Sequence, residues 1–247
     1  MSPATIRLGC AGWSLPRCTW PEFSAEGSHL ERYAARLPAA EINSSFYRPH
    51  HPEVYARWAA TAAKVNPDFR FSVKMPKTMS HERRLKDCGG LMDDFIAQVT
   101  GLGDKLGCLL LQLPPSLALQ NNDADIFLNA LRERYPGPLA LEARHASWFG
   151  QEPDAMLRRW KVGRVLADPV LFEPGRWPGG DLSTVYLRLH GSPRMYYSAY
   201  PRDVLYQLAV RLRLSAHEAD RVWCIFDNTA SGAAVADALY TNALAIG

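Results

Sequence analysis

Eight short apolar runs of strand length punctuate the chain, one about every 31 residues, and most are tipped or followed at once by polar side chains. They lie at Ile6–Cys10, Ala40–Asn43, Arg70–Lys74, Leu106–Gln112, Leu139–Glu142, Arg164–Asp168, Val185–Leu189 and Val222–Phe226. Between them stand amphipathic stretches. Val54, Tyr55, Trp58, Ala59 and Ala62 form one helical stripe, and Val204, Leu205, Leu208, Ala209 and Leu212 a second. Ile126, Phe127, Ala130 and Leu131 form a third, with Asp123 as its expected cap, and an alanine-rich helix is expected over Ala230–Leu244. Strands alternating with helices and carrying polar groups at their carboxyl ends describe an α/β fold, a (β/α)8 barrel of TIM type with a working top face. The sixth crossover, Pro169–Thr184, is rich in proline and glycine and is expected to be irregular, with little helix. A doubly wound sheet would usually bring a glycine-rich phosphate turn after the first strand, but Gly9–Gly12 reads GCAG and lacks that fingerprint.

The length of 247 residues matches one such barrel, so a single domain over 1–247 is expected. With 47% hydrophobic and 21% charged residues, a full core is available. A net charge of +3 is too small to point to nucleic acid by itself. Five cysteines without CxxC or zinc spacing suit a reduced, cytoplasmic protein. The opening MSPATIRLGC has no signal-peptide core, and no run approaches a membrane span, so no membrane partner is expected.

Several motifs in order also carry a family likeness: GCAGWS (9–14), EINSSFYR (41–48), FSVKMPKTMSH (71–81), LLLQLPPS (109–116), LEARHASWF (141–149), YLRLHG (186–191) and FDNTASGAAVADA (226–238). Together they resemble the YecE-like family, domain of unknown function seventy-two. The resemblance spans nearly the whole chain and implies a TIM-type barrel in a bacterial cytoplasmic protein. It supplies no reaction and no catalytic residues. Ala11, Leu15 and Asp227 depart from the pattern, which more often has serine, an aromatic and asparagine there.

The strand ends supply the candidate site. Glu142, Asp168, His190 and Asp227 follow successive strands and are candidates for holding a divalent metal ion; the alternative is an ion-pair network with Arg144 and Arg188. Lys74, Arg144 and Arg188 are the expected anion holders, while Arg83, Arg84 and Lys86 read as a solvated face. In Glu41-Ile42-Asn43 the strand period puts Glu41 and Asn43 on one side. Glu41 and Glu142 are candidate acid and base, with His190 or His81 as partner, and Lys74 is a candidate counter-ion for Glu41. Asn43, Gln112 and Asn228 are candidates for orienting a substrate, and Tyr47 and Trp148 for stacking on it. No GxSxG elbow and no P-loop occur.

The leading expectation is an enzyme acting on an anionic small molecule, a phosphorylated sugar or nucleotide-like compound, by hydrolysis or isomerisation. A nucleic-acid binding or processing protein and a non-catalytic metabolite-binding barrel are the alternatives. On this reading Glu142→Gln should abolish function at little cost in stability.

Overall fold

Strands and helices alternate along the chain as the sequence predicts, with local differences in their bounds. A computed structural model describes residues 3–246; Met1, Ser2 and Gly247, the ends of the expected domain span and the start of the N-terminal segment, lie outside the described residues. The strands are β1 (Ile6–Ala11), β2 (Ala39–Ile42), β3 (Arg70–Lys74), β4 (Leu106–Gln112), β5 (Leu139–Glu142), β6 (Val162–Arg164), β7 (Leu166–Asp168), β8 (Gly179–Gly180), β9 (Thr184–Leu189) and β10 (Arg221–Phe226). They form one sheet in the order β7-β9-β10-β1-β2-β3-β4-β5-β6-β8, parallel throughout except where β8 pairs with β6. β6 and β7 are separated only by Val165, whose N–H still donates to Leu141 O at 2.9 Å. The expected sixth strand is therefore one bent segment. Its first half pairs with β5 and its second with β9, so it brings the two flanks of the sheet together into a barrel.

The helices are α1 (His29–Ala34), α2 (Pro52–Ala63), α3 (Gly89–Val99), α4 (Asn121–Arg134), α5 (Gln151–Arg159), α6 (Arg202–Glu218) and α7 (Ala233–Ala245). A capping box opens α1, with Ser28 Oγ accepting from Glu31 N–H and Glu31 Oε2 accepting from Ser28 N–H. Helix α4 starts earlier than expected, after Gln120. Asp123 lies in its first turn and pairs with Lys86 at 3.1 Å instead of capping. Phe127 and Leu131 of the expected stripe are buried, but Ile126 faces outward, 60% exposed. Between β7 and β9 the described residues form only a 3-10 turn at Glu173–Arg176 and the two-residue β8, so this crossover lacks an α-helix. No helix among the described residues is long and apolar enough to cross a membrane.

The period of two divides each strand between two cores. Ile6, Leu8, Ile42, Phe71, Val73, Leu109, Leu111, Leu187 and Phe226 belong to the main core between sheet and helices. Ala39, Cys108, Leu110, Ala140, Val165, Tyr186, Trp223 and Ile225 fill the barrel. Near its lower end the Trp223 and Tyr186 rings stack, with centroids 6.0 Å apart and planes 10° apart. Gly107 makes room for that indole, since a Cβ there would stand 2.6 Å from the ring. Above these apolar layers the inward positions become polar, and the next inward residue on each of several strands is charged.

Candidate functional site

Continuing each inward series by two residues leads to the mouth. Ala39 is followed by Glu41, Ser72 by Lys74, Ala140 by Glu142, Tyr186 by Arg188 and His190, and Ile225 by Asp227. All these charged side chains are buried. Arg188 organises them. Its Nη2 and Nε donate to Glu41 Oε1 and Oε2 at 2.7 and 3.0 Å, and its Nη1 donates to Glu142 Oε2 at 3.1 Å. Nη2 also lies 3.0 Å from Asp227 Oδ2. One guanidinium thus joins carboxylates from β2, β5 and the end of β10, using the fork geometry that lysine lacks. The Tyr186 hydroxyl lies 2.9 Å from both Glu41 Oε2 and Ser72 Oγ, which fixes Glu41 from below.

His190 sits between two carboxylates, with Nε2 3.0 Å from Glu142 Oε1 and Nδ1 3.1 Å from Asp227 Oδ2. Both ring nitrogens thus face acceptors, which suits the doubly protonated ring. Burial works against that charge, but Glu142 and Asp227 outweigh it and raise the His190 pKa above its usual value. Arg144 Nη2 lies 2.9 Å from His190 Nε2 and 2.6 Å from Glu142 Oε1, and its Nε donates to the same oxygen at 2.7 Å. We read the Arg144–His190 approach as two donors sharing one carboxylate. For Glu142, burial would favour the neutral acid, but Arg188, His190 and Arg144 hold its pKa well below the usual range. Asp227 is likewise lowered, against burial, by Arg188 and then His190.

With the imidazolium formed, three cations meet three carboxylates and this network is neutral. Lys74 is the cation left over. Its Nζ stands 4.0 Å over the Phe46 ring and has no ion pair or hydrogen bond among the described residues. Burial and nearby Arg188 lower its pKa to about 8, against the pull of Glu41, Glu142 and Asp227. The expected Glu41–Lys74 pair is thus replaced by Glu41–Arg188, because arginine reaches both carboxylate oxygens at once. Three of the expected site residues also have a buried amide oxygen without a partner among the described residues: Asn43 Oδ1, Gln112 Oε1 and Asn228 Oδ1.

Other expected site residues are placed differently. Asp168 faces outward, because Val165 points into the barrel and the alternation turns residue 168 away. Its Oδ1 accepts from Tyr200 Oη at 2.7 Å, and it borders an apolar groove outside β7 and β9. The expected four-residue metal set is therefore not assembled. Among the described residues no group of three or more His, Cys, Asp and Glu side chains is arranged to hold a metal ion. Trp148 is also no stacking platform, since it is buried and its Nε1 donates to Leu117 O at 2.9 Å. Tyr47 is exposed, edge-on to Phe46. His81 is half-buried, bonds Ser80 Oγ at 2.8 Å and packs edge-on to the same Phe46 ring. Burial, then Lys74 and Lys77, lower its pKa. Asn228 Nδ2 is engaged by Asp237 Oδ2 at 2.8 Å and Ser198 O at 2.9 Å. Arg84 donates to Ser116 O at 2.9 Å and Lys86 pairs with Asp123, so those two charges are engaged locally.

Sequence reasoning missed Tyr186 and Ser72, although both stand two residues before a charged mouth residue and the period marks them. The network also alters the expectation for Glu142→Gln. Withdrawing this charge leaves Arg144, Arg188 and His190 under-compensated in a buried site, so a substantial loss of stability is expected.

The likeness drawn from the motifs extends to whole-chain comparison. The family model described as Protein of unknown function DUF72 matches residues 7–246. UPF0759 protein YecE of Escherichia coli (strain K12) is 32% identical over 171 residues, which cover 66% of this chain and 59% of that relative's length. A crystal structure of a DUF72 family protein from Enterococcus faecalis V583 has a TM-score of 0.81 at 21% identity, covering 98% of this chain and 96% of that one. One from Thermotoga maritima MSB8 has a TM-score of 0.79 at 24% identity, covering 98% and 99%. These structures share the barrel fold, and the chain belongs to the DUF72 family.

Proposed function

We propose that the mouth binds a small anionic molecule, a phosphorylated sugar or nucleotide-like compound, and acts on it by hydrolysis or isomerisation. The observation that carries this reading is Lys74, a nearly buried ammonium left unpaired beside a network that balances its own charges. An unpaired buried cation is costly to fold around, and an anion at the mouth would offset that cost. Asn43 and Gln112 supply unpaired amides near the same rim for orienting a substrate. Either reaction needs a proton moved near neutral pH. Lys74 is tuned to about 8 and faces the mouth, so it suits that task better than the arginine-bound carboxylates or the fully buried His190. In this reading Arg188, Glu41, Glu142 and the fully buried His190 hold the geometry while Lys74 meets the substrate. A barrel of cytoplasmic location with one domain fits the same picture.

Calorimetric titration with a panel of sugar phosphates and nucleoside monophosphates, on the wild type and Lys74→Met, tests it. Binding by the wild type that is lost in the variant is the expected result. Equal affinity in both, or no binding to either up to about 1 mM, would overturn it. Binding without turnover of any bound compound would favour the metabolite-binding alternative.

A further inference from the structure

The pole opposite the mouth carries a second cluster of charges. Two residues below Gly9 on β1, Ser72 on β3 and Trp223 on β10 stand Arg7, Arg70 and Arg221. They are the lowest inward layer of a barrel whose interior would ordinarily be filled with branched aliphatic side chains. With Thr5, Asp220 and Trp223 they line a pocket of about 280 Å³. The Trp223–Tyr186 stack separates it from the mouth.

These arginines are not neutralised as Arg188 is. Arg7 donates to the Asp68 carbonyl, and Arg70 to the carbonyls of Pro67 and Phe69 at 3.1 and 2.9 Å. A carbonyl orients a guanidinium but contributes no full negative charge. Asp104 lies 3.9 Å from Arg70 Nη2, is 72% exposed, and sits closer to Lys105, at 2.7 Å. Arg221 is exposed, and its side chain has no partner among the described residues. Burial and then Arg70 lower the Arg7 pKa, against the pull of the Asp68 carboxylate.

We infer that this floor pocket is an anion-binding site for a compact phosphoryl group, of the size of inorganic phosphate or pyrophosphate. Three guanidiniums from three strands line it, and the free fork of Arg221 with the Arg7 and Arg70 nitrogens not taken up by carbonyls can meet phosphoryl oxygens. A water occupies about 30 Å³, so the volume holds a diphosphate with room to spare. The site is independent of the proposed reaction at the mouth.

Calorimetric titration of the full chain with pyrophosphate, and separately with inorganic phosphate, tests the inference. Four proteins are compared: wild type, Arg221→Ala, Lys74→Met and Arg57→Ala. Arg221 and Arg57 are both exposed, so either change should leave the fold intact and removes the same net charge. Saturable binding is expected, weakened about tenfold or more in Arg221→Ala and unchanged in Lys74→Met and Arg57→Ala. An equal loss in Arg57→Ala would mean a general charge effect. A loss in Lys74→Met with none in Arg221→Ala would place the anion at the mouth. Either result, or no binding up to about 1 mM, would overturn the inference.

Discussion

The two poles of this barrel use the same residue type to different ends. At the mouth, Arg188 faces Glu41, Glu142 and Asp227, all within 3.1 Å. At the floor, Arg7 and Arg70 are held by backbone carbonyls and Arg221 is free of side-chain partners among the described residues. Carboxylates cancel charge and lock geometry together. Carbonyls fix geometry and leave the charge in place. An arginine therefore reads as scaffold or as receptor according to what faces it, and an inward position alone does not decide between them. Within the mouth the same rule sets Lys74 apart from its neighbours.

The contrast is most open to attack at Arg188. Replacing it with methionine strands three buried carboxylates and should cost about 3–5 kcal/mol or more in urea unfolding. A cost below about 1 kcal/mol would mean that the network is not what holds the mouth. Acid should act on the same groups. The folded pKa values of Glu142 and Asp227 lie below their ordinary 4.5 and 3.8, so their contribution is present above those values and disappears as pH falls through the folded ones. The His190 pKa is raised above 6.5, so its contribution is complete below that pH and is lost as pH climbs through the folded value. Melting temperature followed across pH should show both limbs, and the alkaline one should vanish in His190→Gln.

Lys74→Met should move stability the other way, raising it by about 1–3 kcal/mol at neutral pH while removing anion binding at the mouth. Its folded pKa of about 8 lies below the ordinary 10.5, so the charged form is disfavoured in the folded protein. That penalty is full below about 8 and fades as pH rises toward 10.5, whereas anion affinity should fall as pH rises through about 8, where folded Lys74 loses its charge. A destabilised Lys74→Met would point to an unseen structural role. The smallest effect belongs to the floor, where Arg221→Ala should stay within about 0.5 kcal/mol of wild type in the absence of anion.

Much of this was legible beforehand. The limits of β3, β4 and β5 match the apolar runs, because β4 and β5 are apolar on both faces up to their last residue and all three strands end in a polar side chain. Glu41, Lys74, Glu142, Arg188, His190 and Asp227 converge because the period of two and the shared strand direction send them to one end. Pairing was less legible. Which carboxylate takes which cation depends on reach across the barrel, and Glu41 and Arg188 are 147 positions apart. Asp168 was misplaced because the bend at Val165 lies inside a run that looks uniform, and Trp148 because an indole beside charged residues does not disclose that a carbonyl already holds its N–H. The floor arginines carried no signal as a group, since each stands alone at the head of its own strand.

That bend has a mechanical consequence. The ring closes through one segment that leans left over its first half and right over its second, and its outer side carries a loop where other strands carry a helix. A closed belt fails first at its buckle. Amide exchange should therefore be fastest, among the barrel strands, over residues 162–168, with the opposite arc at β1 and β2 the last to open.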